Sequence, residues 1–342
     1  LMAAIPFRFL RRMARLANSI CSASVRWSCG GAGTGIGLIC PSCGPDPCPY
    51  AGAPSPEFMP PVSISTHRFV TGCRHRRVAA VSISTIAAND GTALYLYVWK
   101  PEGAPKAIVQ IAHGMAEHAQ RYERFAQALT AAGYVVYAND HRGHGQTTPL
   151  GEDHGYFADT DGFRLVVADL AAVTEAAQAA YPGLPVFLFG HSMGSFLARA
   201  YAASYGSRLA GLVLSGTAGD AGALGKVGLG VAHAQSRIRG RRHISGLLNT
   251  LSFGQYNKEF APARTDFDWL SRDPDEVDKY VADPLCGNVF TSGFWIDLLG
   301  GLNYIHSADT TAKVPKDLPI HLIAGSMDPV GGKTKGVEQV AG

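Results

Sequence analysis

Apolar positions in this chain fall into two registers. Short apolar runs alternate with longer stretches in which apolar residues recur every three or four positions. Residues 93–99, after a turn at Asn89-Asp90-Gly91, predict an early antiparallel strand. Residues 107–112, 134–138, 184–189, 209–215 and 319–325 predict further, buried strands. Between them, residues 121–132 predict a helix closed by Gly133, and residues 195–201 another. Phe163, Val166, Val167, Leu170, Val173 and Ala177 keep helical spacing, and Pro182-Gly183 ends that helix. Strands and helices in alternation predict an α/β fold, with a mostly parallel sheet covered by helices on both faces.

The alternation stops over residues 216–316. That stretch predicts a helical lid inserted into a core made of residues 81–215 and 317–342. One helix start is explicit there: Asp273 as N-cap, Pro274 in the first position and Glu276 as capping-box partner. Aromatic residues are frequent in the lid. Exposed ones could contact a lipid interface transiently, whereas packing onto the core is the simpler expectation for Phe267, Trp269, Phe294 and Trp295.

Composition changes the picture at the start of the chain. The net charge is +3 over 342 residues. Residues 1–80 carry nine arginines against Asp46 and Glu57, so the remainder is acidic and offers no basic surface for nucleic acid. Six of seven cysteines also lie in the first 73 residues. Cys40 and Cys43 have the spacing of half a zinc site, but no second pair answers them, so no metal is expected. Residues 1–80 read as a disordered or non-native extension, with a targeting signal in the arginine-rich start as the alternative. Cys286 alone in the rest fits a reducing, cytoplasmic compartment. No apolar run is long enough for a transmembrane helix.

The candidate chemistry centres on Gly190-His191-Ser192-Met193-Gly194, set between a predicted strand and a predicted helix. A serine between two glycines at such a turn is a nucleophile elbow. The turn is tight enough that a Cβ at either glycine would strike backbone. A serine hydroxyl needs a base, and the base a carboxylate to orient it. Asp328 lies just past the last predicted strand, where that carboxylate belongs, on the same side of the sheet as Ser192.

With these residues, His113-Gly114-Met115-Ala116-Glu117-His118, Arg121-Tyr122 and Asp140-His141-Arg142-Gly143-His144-Gly145 occur in the order and spacing of one family. Residues 82–342 resemble the monoacylglycerol lipase and lysophospholipase group of α/β-hydrolases, with a domain of serine aminopeptidase S33 type. The resemblance implies a serine esterase working through an acyl-serine intermediate on monoacylglycerols or lysophospholipids, without a cofactor. It implies Ser192 as nucleophile, Asp328 as triad acid and the Met115 and Met193 amides as oxyanion hole. Glu117 and Arg121 then meet the glycerol head group, or else form a local ion pair. The loop at 140–145 implies hydrogen bonds shaping the site, rather than metal ligation by His141 and His144. An S33-like peptidase is an alternative; dehalogenases and epoxide hydrolases place Asp at the nucleophile position.

In this group the catalytic histidine follows the acid by a helix and a strand. No histidine follows Asp328 here, and His321 lies inside a strand. The expectation is therefore a truncated chain lacking the last strand and helix, and inactive as given: at most an ester or lipid binder.

Overall fold

The structure, a computed structural model, describes residues 81–151 and 153–342. The expectations for residues 1–80, Cys40 and Cys43 among them, lie outside those residues. The elements run β1 (Val81–Ala87), β2 (Ala93–Trp99), β3 (Ile108–Ala112), α1 (Glu123–Ala131), β4 (Val135–Asn139), α2 (Gly162–Ala180), β5 (Val186–His191), α3 (Met193–Tyr205) and β6 (Gly211–Ser215). Then come α4 (Gly222–Arg239), α5 (Gly246–Phe253), α6 (Pro274–Ala282), α7 (Ser292–Ile305), α8 (Ala308–Thr311), β7 (Ile320–Ile323) and α9 (Lys335–Ala341).

The seven strands form one sheet in the order β1-β2-β4-β3-β5-β6-β7. β1 and β2 are antiparallel to their neighbours, and the other pairings are parallel. Period-two alternation divides the strand residues between two apolar layers. Phe187, Phe189 and Val213 pack with α1, through Phe125, Ala126 and Leu129. Leu188, Leu212 and Leu214 pack on the other face with α2, α3 and α7, through Leu170, Leu197 and Phe294. All six residues that the spacing assigned to the buried face of α2 are buried.

β1 was not expected. Its Val-Ser-Ile-Ser-Thr-Ile-Ala alternation is a strand signal, and the turn at 88–92 pairs it residue for residue with β2. Residues 119–122 form a 3₁₀ turn, so the helix expected from residue 121 begins at Glu123. Asp273 caps α6 by accepting from the Asp275 N–H at 3.1 Å. The expected capping box is not made. Ser271 Oγ accepts from the Asp273 N–H, and Glu276 instead pairs with Arg124 and Lys279.

None of the four named aromatics is exposed, in line with the simpler expectation of packing. Phe294 and Trp295 are buried in the core, and Phe267 and Trp269 face an internal cavity. The large exposed apolar side chains there are aliphatic: Leu224, Val227, Ile238, Leu247 and Leu251 among them. Among the described residues no helix is long and apolar enough to cross a membrane.

Candidate active site

β5 runs into α3 through Ser192, whose backbone sits at φ 50°, ψ −119°. A non-glycine residue holds that conformation only when its surroundings over-determine it. Here the Ser192 N–H donates to the Ser215 carbonyl at 2.8 Å, and its own carbonyl accepts from Ser195 N–H and Oγ at 2.8 and 2.6 Å. The flanking glycines cannot be replaced without moving backbone. A Cβ on Gly190 would lie 2.7 Å from the Gly194 carbonyl carbon, and one on Gly194 would strike the Ala112 carbonyl oxygen. The elbow is therefore pressed against the end of β3, from which the loop of residues 113–118 leaves.

That loop is bound at alternate residues. The Gly114 N–H donates to Glu117 Oε1 at 2.7 Å, and the Tyr122 hydroxyl donates to the same oxygen at 2.7 Å. The Ala116 carbonyl accepts from the Tyr280 hydroxyl at 2.7 Å and from the Gly287 N–H at 3.0 Å. His118 Nε2 pairs with Asp283 Oδ2 at 2.8 Å. Met115 lies between the first two anchors. Met193, buried, heads α3, where an N–H has no partner within the helix.

Asp328 sits on the turn after β7, its Oδ1 accepting from the Val330 N–H at 2.9 Å. A Cβ on Gly216 would lie 3.2 Å from Asp328 Oδ2 and 3.3 Å from His191 Cε1, so the space between these side chains depends on that glycine, at φ +59°. His191 Nδ1 shares a hydrogen bond of 3.2 Å with Ser215 Oγ. Burial lowers the His191 pKa, and the charges of Glu117 and Asp328 oppose the shift.

Ser192, Met115, Glu117, His191 and Asp328 all line one cavity of about 710 Å³, closed on another side by residues from between β6 and β7. Phe253, Phe260, Phe267 and Trp269 of the insert give it an apolar wall. Glu117 and Arg121 form an i,i+4 ion pair at 3.4 Å. Glu117 is buried and braces Gly114, while Arg121 is absent from the wall and lies 4.9 Å from the centre of the Tyr280 ring.

In the loop at 140–148 the expected hydrogen bonds are carried by Asp140 and not by the His141 ring. Asp140 does the hydrogen bonding, accepting from the N–H groups of Ala119 and Gln146 at 2.7 Å each. The His141 ring has no partner at either nitrogen and packs 4.0 Å from the His113 ring. His113 Nε2 accepts from the His141 N–H, so the proton of that ring is on Nδ1, which donates to the Gly114 carbonyl at 2.8 Å. His144 Nδ1 lies 2.9 Å from the Arg142 carbonyl.

Arg142 had no assigned role in the sequence. Its guanidinium grips Asp169 of α2 at 2.6 and 2.8 Å and Asp90 of the β1–β2 turn at 2.5 and 2.8 Å. Burial would lower the Arg142 pKa, but these hydrogen bonds outweigh it and hold the group above the ordinary arginine range. Burial raises the Asp169 carboxyl while Arg142 pulls it down, and the bidentate geometry keeps the pair ionised. Arg142→Leu would strand Asp169, and urea denaturation should show a loss of about 3–5 kcal/mol. The double change Arg142→Leu with Asp169→Leu should recover much of it; no recovery would mean the pair is not the cause.

Among the described residues, His118, Asp283 and Cys286 bring three metal-donor atoms within 4.8 Å of one another. They fit a structural role better. The His118–Asp283 hydrogen bond uses two of the donors, and burial pushes the Cys286 thiol up, away from the thiolate a metal requires.

The parallel sheet, the strained serine elbow and an acid past β7 define an α/β-hydrolase. The profile of the family "serine aminopeptidase, S33" matches residues 103–341. Monoglyceride lipase of Homo sapiens is 34% identical over 245 residues, 70% of this chain and 71% of that protein. Monoacylglycerol lipase of Mycolicibacterium smegmatis is 31% identical over 258 residues, 75% of this chain and 84% of its own length. Among solved structures, a thermostable carboxyl esterase from Bacillus coagulans in complex with glycerol superposes with a TM-score of 0.71 at 31% identity, covering 77% of this chain and 85% of that one. The chain belongs to the serine aminopeptidase S33 family of α/β-hydrolases, in the group that contains the monoglyceride lipases.

Proposed function

We propose that this chain is a serine hydrolase of carboxylic esters whose substrates are monoacylglycerols or lysophospholipids. The observation that carries the reading is the shared cavity, on which the Ser192 elbow, Met115 and Asp328 open opposite an aromatic wall. The names of the human and mycobacterial relatives, and the glycerol in the Bacillus coagulans esterase complex, support the substrate class.

In this mechanism Ser192 Oγ adds to the ester carbonyl carbon as its proton leaves for an imidazole base oriented by Asp328. The oxyanion accepts from the Met115 and Met193 amides; one such donor is worth about 2.7–4 kcal/mol. The carbon–oxygen bond to the alcohol then breaks, and the departing oxygen takes the proton. Water repeats the sequence on the acyl-serine and releases the fatty acid. Glu117, on the wall, accepts from a glycerol hydroxyl, and Arg121 fixes the carboxylate from behind. The residues of 216–316 act as a lid, and their exposed aliphatic side chains support transient contact with a lipid interface.

A fluorophosphonate probe tests this reading. In residues 1–342, where the imidazole base of this mechanism is unassigned, the adduct is expected to form slowly, on the peptide bearing Ser192, with competition by 1-monooleoylglycerol. An adduct elsewhere would overturn it, and competition by peptide amides alone would favour an S33-like peptidase.

One observation favours a second reading. Among the described residues His191 is the only imidazole on the cavity wall, and its Nδ1 faces Ser215. In that reading these residues bind an ester without turning it over.

A further inference from the structure

The geometry points to Tyr280 as the residue that sets the Met115 oxyanion amide, so that the far end of the helical insert controls the oxyanion hole. The inference rests on the oxyanion role proposed above for Met115.

Ala116 is left-handed, at φ 58°, without being glycine. Such a backbone stays in place only when neighbours fix it. Its carbonyl carries two of the restraints, the Tyr280 hydroxyl at 2.7 Å and the Gly287 N–H at 3.0 Å. The Gly287 N–H is also 3.0 Å from the Tyr280 hydroxyl oxygen. That oxygen therefore accepts from Gly287, and its single hydrogen is directed at Ala116. On the other side of Met115, the Gly114 N–H is fixed by Glu117. The Met115 amide thus lies between two anchors only two residues apart, and the second comes from 164 residues along the chain. The His118–Asp283 pair ties the next turn of the loop to the same segment of the insert.

The Tyr280 ring is itself held. Phe267 packs against it at 5.0 Å between ring centres, and the Arg121 guanidinium lies 4.9 Å from its centre. Phe267 also approaches Gly287, where a Cβ would come within 2.9 Å of its Cζ. Because Phe267 is on the cavity wall, an acyl chain pressing on it is two contacts from the carbonyl that orients Met115. Tyr280, itself on the cavity wall, is a positioning residue: His113 Nδ1 holds the Gly114 carbonyl of the peptide that carries the Met115 N–H, and Tyr280 fixes the other side, so that together they set where the oxyanion donor points.

The test is Tyr280→Phe, which removes one oxygen, with two ligands compared. Butylboronic acid forms a tetrahedral adduct on Ser192 that places an oxygen in the hole, detectable by boron NMR and titration. The ether 1-O-hexadecylglycerol fills the cavity without forming one. Boronate affinity is expected to fall about tenfold, less than the 10²–10³ that follows outright loss of a donor. Ether affinity should be unchanged, and hydrogen exchange at the Met115 amide should quicken. Equal boronate affinity and exchange in the two proteins would overturn the inference, as would parallel losses for both ligands. If the wild-type chain forms no tetrahedral adduct, or Ser192→Ala forms the same one, the Ser192 mechanism fails, and Met115 exchange alone decides the role of Tyr280. Should Tyr280→Phe not fold, Phe267→Leu loosens the ring while leaving the hydroxyl. The same two changes are expected on a smaller scale, and their absence would count against the inference.

Discussion

Lowering the pH from 7 to 5 is expected to destabilise this chain, His141 alone removing about 2 kcal/mol of folding free energy. The cause is the fully buried group of His113, His141 and His144. Burial depresses all three, His141 to about 3. The hydrogen bonds agree, because His113 Nε2 must stay an acceptor for the His141 N–H. Aromatic rings of Phe157, Phe290 and Phe294 surround His144 and offer no stabilisation of a charge by a carboxylate. With folded pKa values beneath the unfolded 6.5, the unfolded chain binds more protons as soon as the pH drops under 6.5. Stability therefore falls from there down to the folded pKa. His141 costs about 2 kcal/mol by pH 5, since 1.5 pH units at 1.36 kcal/mol each separate pH 5 from the unfolded value, and His113 and His144 act in the same direction. Asp297 acts in the opposite sense. Burial pushes its carboxyl up to about 6 against the pull of Arg241, so it returns about 1 kcal/mol over the same interval. Urea midpoints at pH 7, 6 and 5 measure the loss, and His141→Leu should flatten the slope. A midpoint that does not move between pH 7 and 5 would show that these rings are not obligately neutral.

Turnover of p-nitrophenyl butyrate by the polypeptide of residues 1–342 is expected barely above background, roughly 10⁶ below that of a complete Ser-His-Asp set. Ser192 is strained into place, and Met115 stands across from it, but a hydroxyl with a pKa far above 7 does not attack without a base. Among the described residues the wall carries one imidazole, His191, and Ser215 shares a hydrogen bond with its Nδ1. What remains is binding and oxyanion stabilisation, worth about 10³–10⁴ over water. Steady-state rates for the wild type, Ser192→Ala and His191→Ala decide the matter. Lipase-like turnover lost in both variants would make His191 the base. Lipase-like turnover lost only in Ser192→Ala would place the base elsewhere and overturn this account.

The parts of the fold written in local pattern were legible. Buried strands show as apolar runs, and the inward face of α2 shows in six residues at helical spacing. The Ser192 elbow is readable because its constraint is local: two glycines must lie within van der Waals reach of neighbouring backbone. β1 was missed although its alternation is clear, because a strand with most residues exposed lacks the apolar run that marks its neighbours. The Arg142 grip was not legible, since its partners lie 52 and 27 residues away. Neither were the restraints on Ala116, which join segments 164 residues apart. Glu276 shows the opposite error. A local rule predicted the Asp273 N–H as its partner, but Arg124 and Lys279 offered opposite charge, and Ser271 was free to serve Asp273. For Glu117, sequence offered either head-group contact or an ion pair; the structure adds a third task, bracing the Gly114 amide.

The turn between β1 and β2 is exposed and carries Gly91 at φ +85°, features that usually mark a place where a chain can be cut, tagged or rejoined. Here Asp90 at its tip is one end of a rigid linkage. Arg142 connects that tip to α2, and the residues beside Arg142 carry Asp140, whose carboxylate holds the Ala119 amide just beyond the loop that bears Met115. A surface hairpin is thus mechanically part of the frame around the candidate site, and an engineer seeking a silent attachment point would do better elsewhere.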